Sequence, residues 1–514
     1  MQKNVNKAIW ISRIGLGLIF CYCLLASVLF SYFAQIHLSL GFLPFPVFVG
    51  EIVMFICLPL LAWACKGGKL FNQRTTLLLG LYFGWVVGKA LINYFYEGPL
   101  TCRNAALFYY PIFAVFAYCF YQRARIPRKV LMLLAFWATG IMLFKVMVLW
   151  YWWTYVSLFV IAVWNTKSIK LRWLGWIFLA AIFLLGKEYL YKGPRAHFVG
   201  VFCAVLFLAS YFGALLAKRH DYVRLGVLLA SLVFFISGFF IFSDRNAVTS
   251  VTSLKGIIET YQTFDRELER KKITYVPEKL SVQLYHPKEY QSPFLPSSIL
   301  ASQPAVEHPT TLQGTRFKSV ASPASKNAGG GPLSDGLKNN PINNIFQPLK
   351  GGLKDIRRCR IREGRSLDLD ENNIVFRLFV WRDMARELVE QKAWWGFSFG
   401  HPQRSRSLEA LHWAESEWER DGWITPHNSF FHIIYRAGIL GVFLIMILFF
   451  LIGKLVRDFF IMNSVEGGFL VGALVYWLAL SNFFVILEFP YNAIIFWTLF
   501  GITWAYRDGL KFKK

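Results

Sequence analysis

The sequence predicts an all-α polytopic membrane protein of about twelve transmembrane helices, with one large external loop domain. Three observations carry that expectation. Hydrophobic residues make up 56% of the chain against 17% charged, and the mean hydropathy is +0.43. A soluble chain of 514 residues cannot bury that much apolar surface. Apolar runs of spanning length recur along the chain, and Lys and Arg cluster in every second connection between them.

The runs lie near 8–34, 46–65, 75–95, 104–121, 129–147, 149–165, 172–187, 195–216 and 223–243, then near 431–452, 465–486 and 491–506. They divide the chain into an N-terminal transmembrane region at 1–243, a polar external domain at 244–426 and a C-terminal transmembrane region at 427–514. The run Trp150-Tyr151-Trp152-Trp153 is an interfacial aromatic belt between the fifth and sixth helices. One set of connections carries Lys3, Lys7, Arg13, Lys66, Lys69, Arg74, Arg123, Arg125, Arg128, Lys167, Lys170, Lys218, Arg219, Lys454, Arg457 and Arg507. The opposite short connections carry only Arg103, Lys145, Lys187, Lys192 and Arg195. Both termini are therefore expected in the cytoplasm and 244–426 outside. The first helix reads as an uncleaved signal anchor.

The net charge of +25 does not point to nucleic acid, because its Lys and Arg follow the membrane topology and no nucleic-acid motif accompanies them. The eight cysteines form no CxxC or zinc spacing. Cys102 and Cys359 fall in polar segments on the same predicted side, where a disulfide and two free thiols both stay open.

Within the external segment, 253–272 carries a helical stripe of Leu254, Ile257, Ile258, Tyr261, Phe264 and Leu268. The Gly-, Ser- and Pro-rich stretch 320–355 reads as a flexible insert. A second amphipathic helix is expected at 374–392, with Leu378, Trp381, Met384, Ala385 and Leu388 on one face. A third is expected at 406–420.

The stretch with most chemistry begins at Pro426-His427-Asn428 and ends at Gly438-x-x-Gly441, where polar chain meets an apolar run. A neutral imidazole is a competent base near neutral pH. Asn428 can hold the ring or an acceptor, and Gly438 and Gly441 read as packing points for a neighbouring helix. Two arginines accompany it. Arg195 stands in Gly193-Pro194-Arg195-Ala196-His197 at the outer end of the eighth helix. Arg377 begins Arg377-(x3)-Trp381, followed by Gly396-x-Ser398-x-Gly400. A guanidinium can hold a diphosphate bidentately, and the bland alternatives are a snorkelling Arg195 and a solvated Arg377 at a helix start. His432 reads as a packing histidine. Asp368-x-Asp370 reads as a helix cap, and Glu51 as a buried carboxylate with Lys89 as its partner or a snorkelling cation.

The His-Asn-(x9)-Gly-x-x-Gly element and the Arg-(x3)-Trp stretch with its glycine turn resemble the O-antigen ligase family, which includes related polysaccharide polymerases. The Arg195 element matches that family only in part, with Pro194 and Ala196 in place of small flanks. The resemblance implies a metal-independent, inverting glycosyltransferase of the GT-C type, without a cofactor, in the inner membrane of a Gram-negative cell. Its donor would be an undecaprenyl-diphosphate-linked glycan. Its acceptor would be lipid A–core in ligases, a second lipid-linked glycan in polymerases, or a protein hydroxyl in oligosaccharyltransferases. His427 would be the base, with Arg195 and Arg377 on the diphosphate and Asn428, Arg103, Lys192 and His197 around the substrate. The competing readings are an exopolysaccharide or O-antigen polymerase and a transporter without transferase activity. A transporter would show broken mid-membrane helices and internal repeats; neither is visible in the sequence, and the external loop is too large for a simple carrier.

The orientation is testable directly. A cysteine placed at Gly330 should react with a membrane-impermeant maleimide from outside in intact spheroplasts. Reaction only after permeabilisation reverses the topology.

Overall fold

Apolar helices and the polar groups that end or break them set the architecture. The computed structural model describes residues 2–38, 47–65, 71–98, 100–124, 126, 195–226, 228–229, 254–270, 369–411, 413 and 424–511. The runs expected at 129–147, 149–165 and 172–187, the 320–355 insert, Lys192, Asp368 and Cys359 lie outside the described residues, as does most of 223–243.

The described chain is mainly helical. Helix α1 is Gln2–Gln35, and a two-residue antiparallel pair joins β1 (His37–Leu38) to β2 (Val47–Phe48). Then follow α2 (Val49–Cys65), α3 (Gln73–Glu97), α4 (Leu100–Tyr109) and α5 (Ile112–Ala124). After them come α6 (Arg195–Lys218), α7 (Leu254–Arg270), α8 (Leu369–Glu390) and α9 (Arg406–Ala410). The chain ends with α10 (Ser429–Ile461), α11 (Val465–Leu480) and α12 (Pro490–Lys511). Four segments are long and apolar enough to cross a membrane: Asn6–Ala26, Gln73–Glu97, Thr101–Ala124 and Ser429–Ile461. This is a helical membrane protein.

Local chemistry sets the boundaries. Asn72 caps α3 by accepting from the Thr75 amide at 2.7 Å, and Ser464 caps α11 by accepting from the Gly467 amide at 3.1 Å. The run expected as one helix near 104–121 is divided between α4 and α5. Pro111 lacks an N–H and interrupts the helical ladder there. The interruption lets the Tyr109 and Tyr110 hydroxyls both donate to Glu51 Oε1, at 2.6 and 2.7 Å. Glu51 is thus the buried carboxylate expected, but Lys89 is not its partner; Lys89 Nζ donates to the Arg436 carbonyl at 2.6 Å.

The bundle core joins α1, α2, α5, α6, α11 and α12 through Leu16, Val53, Phe113, Phe116, Leu208, Leu474 and Phe496. At one end, Asp458 pairs with Arg507 and Lys511. At the other, a second apolar cluster gathers Tyr261, Phe264 and Leu268 of α7 against Val375, Phe379 and Met384 of α8. Tyr261, Phe264 and Leu268 of the expected α7 stripe are thus packed, Ile258 is exposed, and the side chains of Leu254 and Ile257 lie outside the described residues. On α8, Met384 is buried and Trp381 and Leu388 pack on this cluster as expected, while Val375, Phe379 and Val380 extend the buried face and Ala385 is exposed. Of the third expected amphipathic stretch, the described helical part is α9, and 412 and 414–423 lie outside the described residues. Arg382 ties these pieces together, pairing with Asp265 and donating to Ser407 Oγ at 2.7 Å and Tyr261 Oη at 3.1 Å.

Helix α10 is broken. Gly438 has φ +56° and ψ −133°, outside the helical region. An unbroken helix would join the Tyr435 carbonyl to the Ile439 amide. Instead the Phe397 amide donates to Tyr435 O at 2.9 Å, and the Ile439 amide donates to Trp394 O at 2.9 Å. A Cβ on Gly438 would lie 2.0 Å from Trp394 O, and one on Gly396 2.5 Å from the backbone around Ala437. Gly438 is therefore not a packing point for a neighbouring transmembrane helix. It is the place where a turn enters the helix.

Gly438→Ala should lose about 1–3 kcal/mol to backbone strain before the collision with Trp394 is counted. Gly453→Ala, farther along α10 in open space, should be tolerated. Thermal unfolding of the two purified variants checks this; equal midpoints would mean that the break is not fixed by this glycine.

Candidate active site

His427 is held from four directions. Arg103 Nη2 donates to Thr425 Oγ1 at 3.2 Å, and the Trp381 indole donates to the Pro426 carbonyl at 2.6 Å. Asn428 caps α10, its Oδ1 accepting from the Phe431 amide at 2.9 Å. Phe376 meets the imidazole edge-on, with centroids 6.3 Å apart. His427 itself has φ +50°, in the left-handed region that non-glycine residues enter at a cost. The flanking bonds hold that conformation and turn the ring from the helix entry toward α8. The cap occupies one lone pair of Asn428 Oδ1 and leaves its amide nitrogen as a donor.

Ser429 anchors the next turn. Its amide donates to the Ser481 carbonyl at 2.8 Å, and its hydroxyl donates to the Phe484 carbonyl at 3.1 Å while accepting from the Leu487 amide at 3.1 Å. The run expected as helix to 486 stops at Leu480. The buried, non-helical chain at 481–489 is tolerated because Ser429 and its own turns satisfy its backbone. It delivers Glu488.

Glu488 lies in a buried polar chain. Its Oε1 is 3.2 Å from Arg103 Nε, and its Oε2 is 2.9 Å from His432 Nδ1. Arg436 Nε donates to His432 Nε2 at 3.3 Å, and Arg436 Nη1 donates to the Ser398 and His401 carbonyls, each at 2.7 Å. The Asn104 amide donates to the Phe399 carbonyl at 2.6 Å, and Ser398 Oγ donates to Glu97. The turn after Gly396 is thereby fastened to α3, α4 and α10. His432 is thus no simple packing residue. Because Nε2 accepts from Arg436, the proton sits on Nδ1 and points at Glu488.

Arg377 lies more than two turns into α8, not at its start, so the helix-dipole argument does not apply to it. Its Nε is buried and has no hydrogen-bond partner among the described residues. Burial lowers its pKa from the usual arginine value. Burial, then the Arg377 charge, depress the His427 imidazole to about 4 against the opposing charge of Glu488. His427 is therefore neutral at physiological pH. Burial alone would raise Glu488, but the Arg103 and Arg436 charges and the hydrogen bond from His432 pull it down. Glu488 is ionised.

Of the residues expected from sequence, His427, Asn428, Arg103 and Arg377 are brought together. Arg195 opens α6 and His197 lies in its first turn, but their side chains are outside the described residues. Glu488, His432 and Arg436 complete the cluster and were not among the expected site residues. The available signal was charge inside apolar sequence, at Tyr435-Arg436-Ala437 and Leu487-Glu488-Phe489.

The chain matches no protein-family model, no curated protein and no solved structure.

Arg377→Met should raise the His427 pKa while leaving it below about 6.5, since burial persists. Peptide-resolved modification by diethyl pyrocarbonate across pH checks this. An unchanged His427 profile would place Arg377 out of electrostatic reach.

Proposed function

We propose that the chain is a periplasm-facing glycosyltransferase of the bacterial inner membrane, built on about twelve helices in the GT-C manner. It transfers a glycan from an undecaprenyl-diphosphate carrier to a hydroxyl of lipid A–core. The observation that carries the reading is the pairing of a neutral His427 imidazole with Arg377, whose buried Nε has no partner among the described residues. A base that is unprotonated at neutral pH and a guanidinium short of an acceptor are what a hydroxyl and a diphosphate require.

In this reading Arg377 and Arg195 receive the diphosphate, whose negative charge grows as the glycosidic bond breaks. The acceptor oxygen attacks the anomeric carbon from the face opposite the diphosphate, and the configuration inverts. His427 takes the hydroxyl proton. Asn428, His197, Lys192 and Arg103 border the substrate, although Arg103 already answers to Glu488 and Thr425. Diphosphate departs without needing a proton, so the site requires no separate general acid. Charge on the diphosphate is met by arginine, and transfer should persist in EDTA.

The donor also adjusts the base. Arg377 depresses His427, and a diphosphate on Arg377 offsets that charge. Proton affinity at His427 therefore rises when the donor is bound.

The test uses purified protein in nanodiscs with lipid-linked glycan and lipid A–core. His427→Ala should lower transfer by about 10²–10⁴-fold. In the wild type, the acid limb of kcat/KM should fall near pH 4, because His427 is neutral above it and cannot accept a proton below it. The limb of kcat, which reports the donor complex, should lie higher. A His427→Ala protein that folds and transfers at the wild-type rate defeats the assignment. Growth of the lipid-linked glycan itself, with lipid A–core untouched, would identify a polymerase.

A further inference from the structure

Behind the Arg103 bond to Thr425 stands a residue distant in sequence, Glu488 on the 481–489 connection. We infer that Glu488 is a positioning residue for His427, acting through Arg103 and Thr425. The kinetic part of this inference rests on the transferase reading above; the structural part does not.

The geometry runs in two arms from one carboxylate. Oε1 takes Arg103, and the same guanidinium donates to Thr425 Oγ1, two residues before His427. Oε2 accepts from His432 Nδ1, which fixes the carboxylate against rotation. His432 is in turn held by Arg436. A group with acceptors on both sides is therefore needed at 488, and only a carboxylate provides it. Gln can offer its oxygen to Arg103, but its amide then faces the His432 N–H, donor against donor. Turning the amide moves the same conflict to Arg103.

Thr425, Pro426 and Asn428 each have one hydrogen bond that pins the left-handed turn at His427. Of these, the Arg103 bond is the one reaching back to a second ionised group. Release of Thr425 should let the turn relax and the imidazole open to solvent. Arg377 and Glu488 are the charged groups acting on the ring from α8 and from 481–489. Removing the Glu488 charge alone would depress the imidazole further. Loss of enclosure acts the other way and is the larger influence. Thr425→Val separates the two, because it removes the hydroxyl and leaves every charge in place.

The experiment compares full-length wild type, Glu488→Gln and Thr425→Val in nanodiscs. Diethyl pyrocarbonate modification of His427 is read by peptide mass between about pH 5.5 and 7.5, a window around the ordinary imidazole pKa of about 6.5. Wild-type His427 should react at a constant intrinsic rate across that window. In both variants it should react several-fold faster at neutral pH and slow toward the acid end. Glu488→Gln should also lose about 10²-fold in kcat, the scale of a misplaced catalytic group, with donor KM nearly unchanged because Arg377 is intact. Thr425→Val should show the same split with smaller amplitude. Folded, monodisperse variants with wild-type His427 modification overturn the inference, whatever their activity. If Glu488→Gln fails to fold, Thr425→Val decides. If the modification changes as expected but wild type transfers no glycan, positioning stands and the transferase reading falls.

Discussion

Two backbone hydrogen bonds hold the site end of this molecule together. The Tyr435 carbonyl and the Ile439 amide would be partners in a continuous helix, and here each is given to the intruding turn, at Phe397 and Trp394. Both groups keep a hydrogen-bond partner through the exchange, which is why a helix break beside apolar surroundings is tolerated. The exchange needs backbone-to-backbone contact, and so it needs Gly396 and Gly438. From it follow the docking of the turn on Arg436, the burial of Phe397 and Phe399, and the junction between the bundle and the α7–α9 cluster.

The electrostatics divide into a settled part and an unsettled part. Arg103, Glu488, His432 and Arg436 answer one another, each polar contact facing a partner of the right kind. Removing one member would strand a buried charge, at a cost of about 3–5 kcal/mol. Arg377 is different, because its buried Nε has no such answer among the described residues. A desolvated guanidinium beside a neutral imidazole is poor stabilising chemistry, and its persistence is what supports a binding role for an anion.

Much of this was legible in the sequence, and the gaps have physical causes. Hydropathy located the helices of the described bundle, because spanning length and composition are local properties. The His427 element marked the mouth of α10 because it lies where polar chain turns apolar. The role of Gly438 was not legible: a small residue in an apolar helix suits close packing as well as a break, and only the partner, Trp394, distinguishes them. Glu488 fell between two expected helices and so read as a connection. Its significance depends on Arg103, which is far away in the chain. The face of α8 was legible only in part, because its further buried positions, Val375, Phe379 and Val380, are covered by residues distant in the chain, Leu268 and Phe397 among them.

The break in α10 also has a consequence for depth. The piece after it, 439–461, rises about 35 Å at 1.5 Å per residue, which already exceeds a hydrocarbon layer of about 30 Å. The piece before it is surplus to spanning. Ser429, His432 and Arg436 therefore need not be carried into lipid, and their turns can stand at headgroup level as a pedestal. In the proposed reading, the lipid tail of the donor stays among the acyl chains while its polar end meets His427 above them. The helix is divided into a length that satisfies the bilayer and a length that is free to hold chemistry.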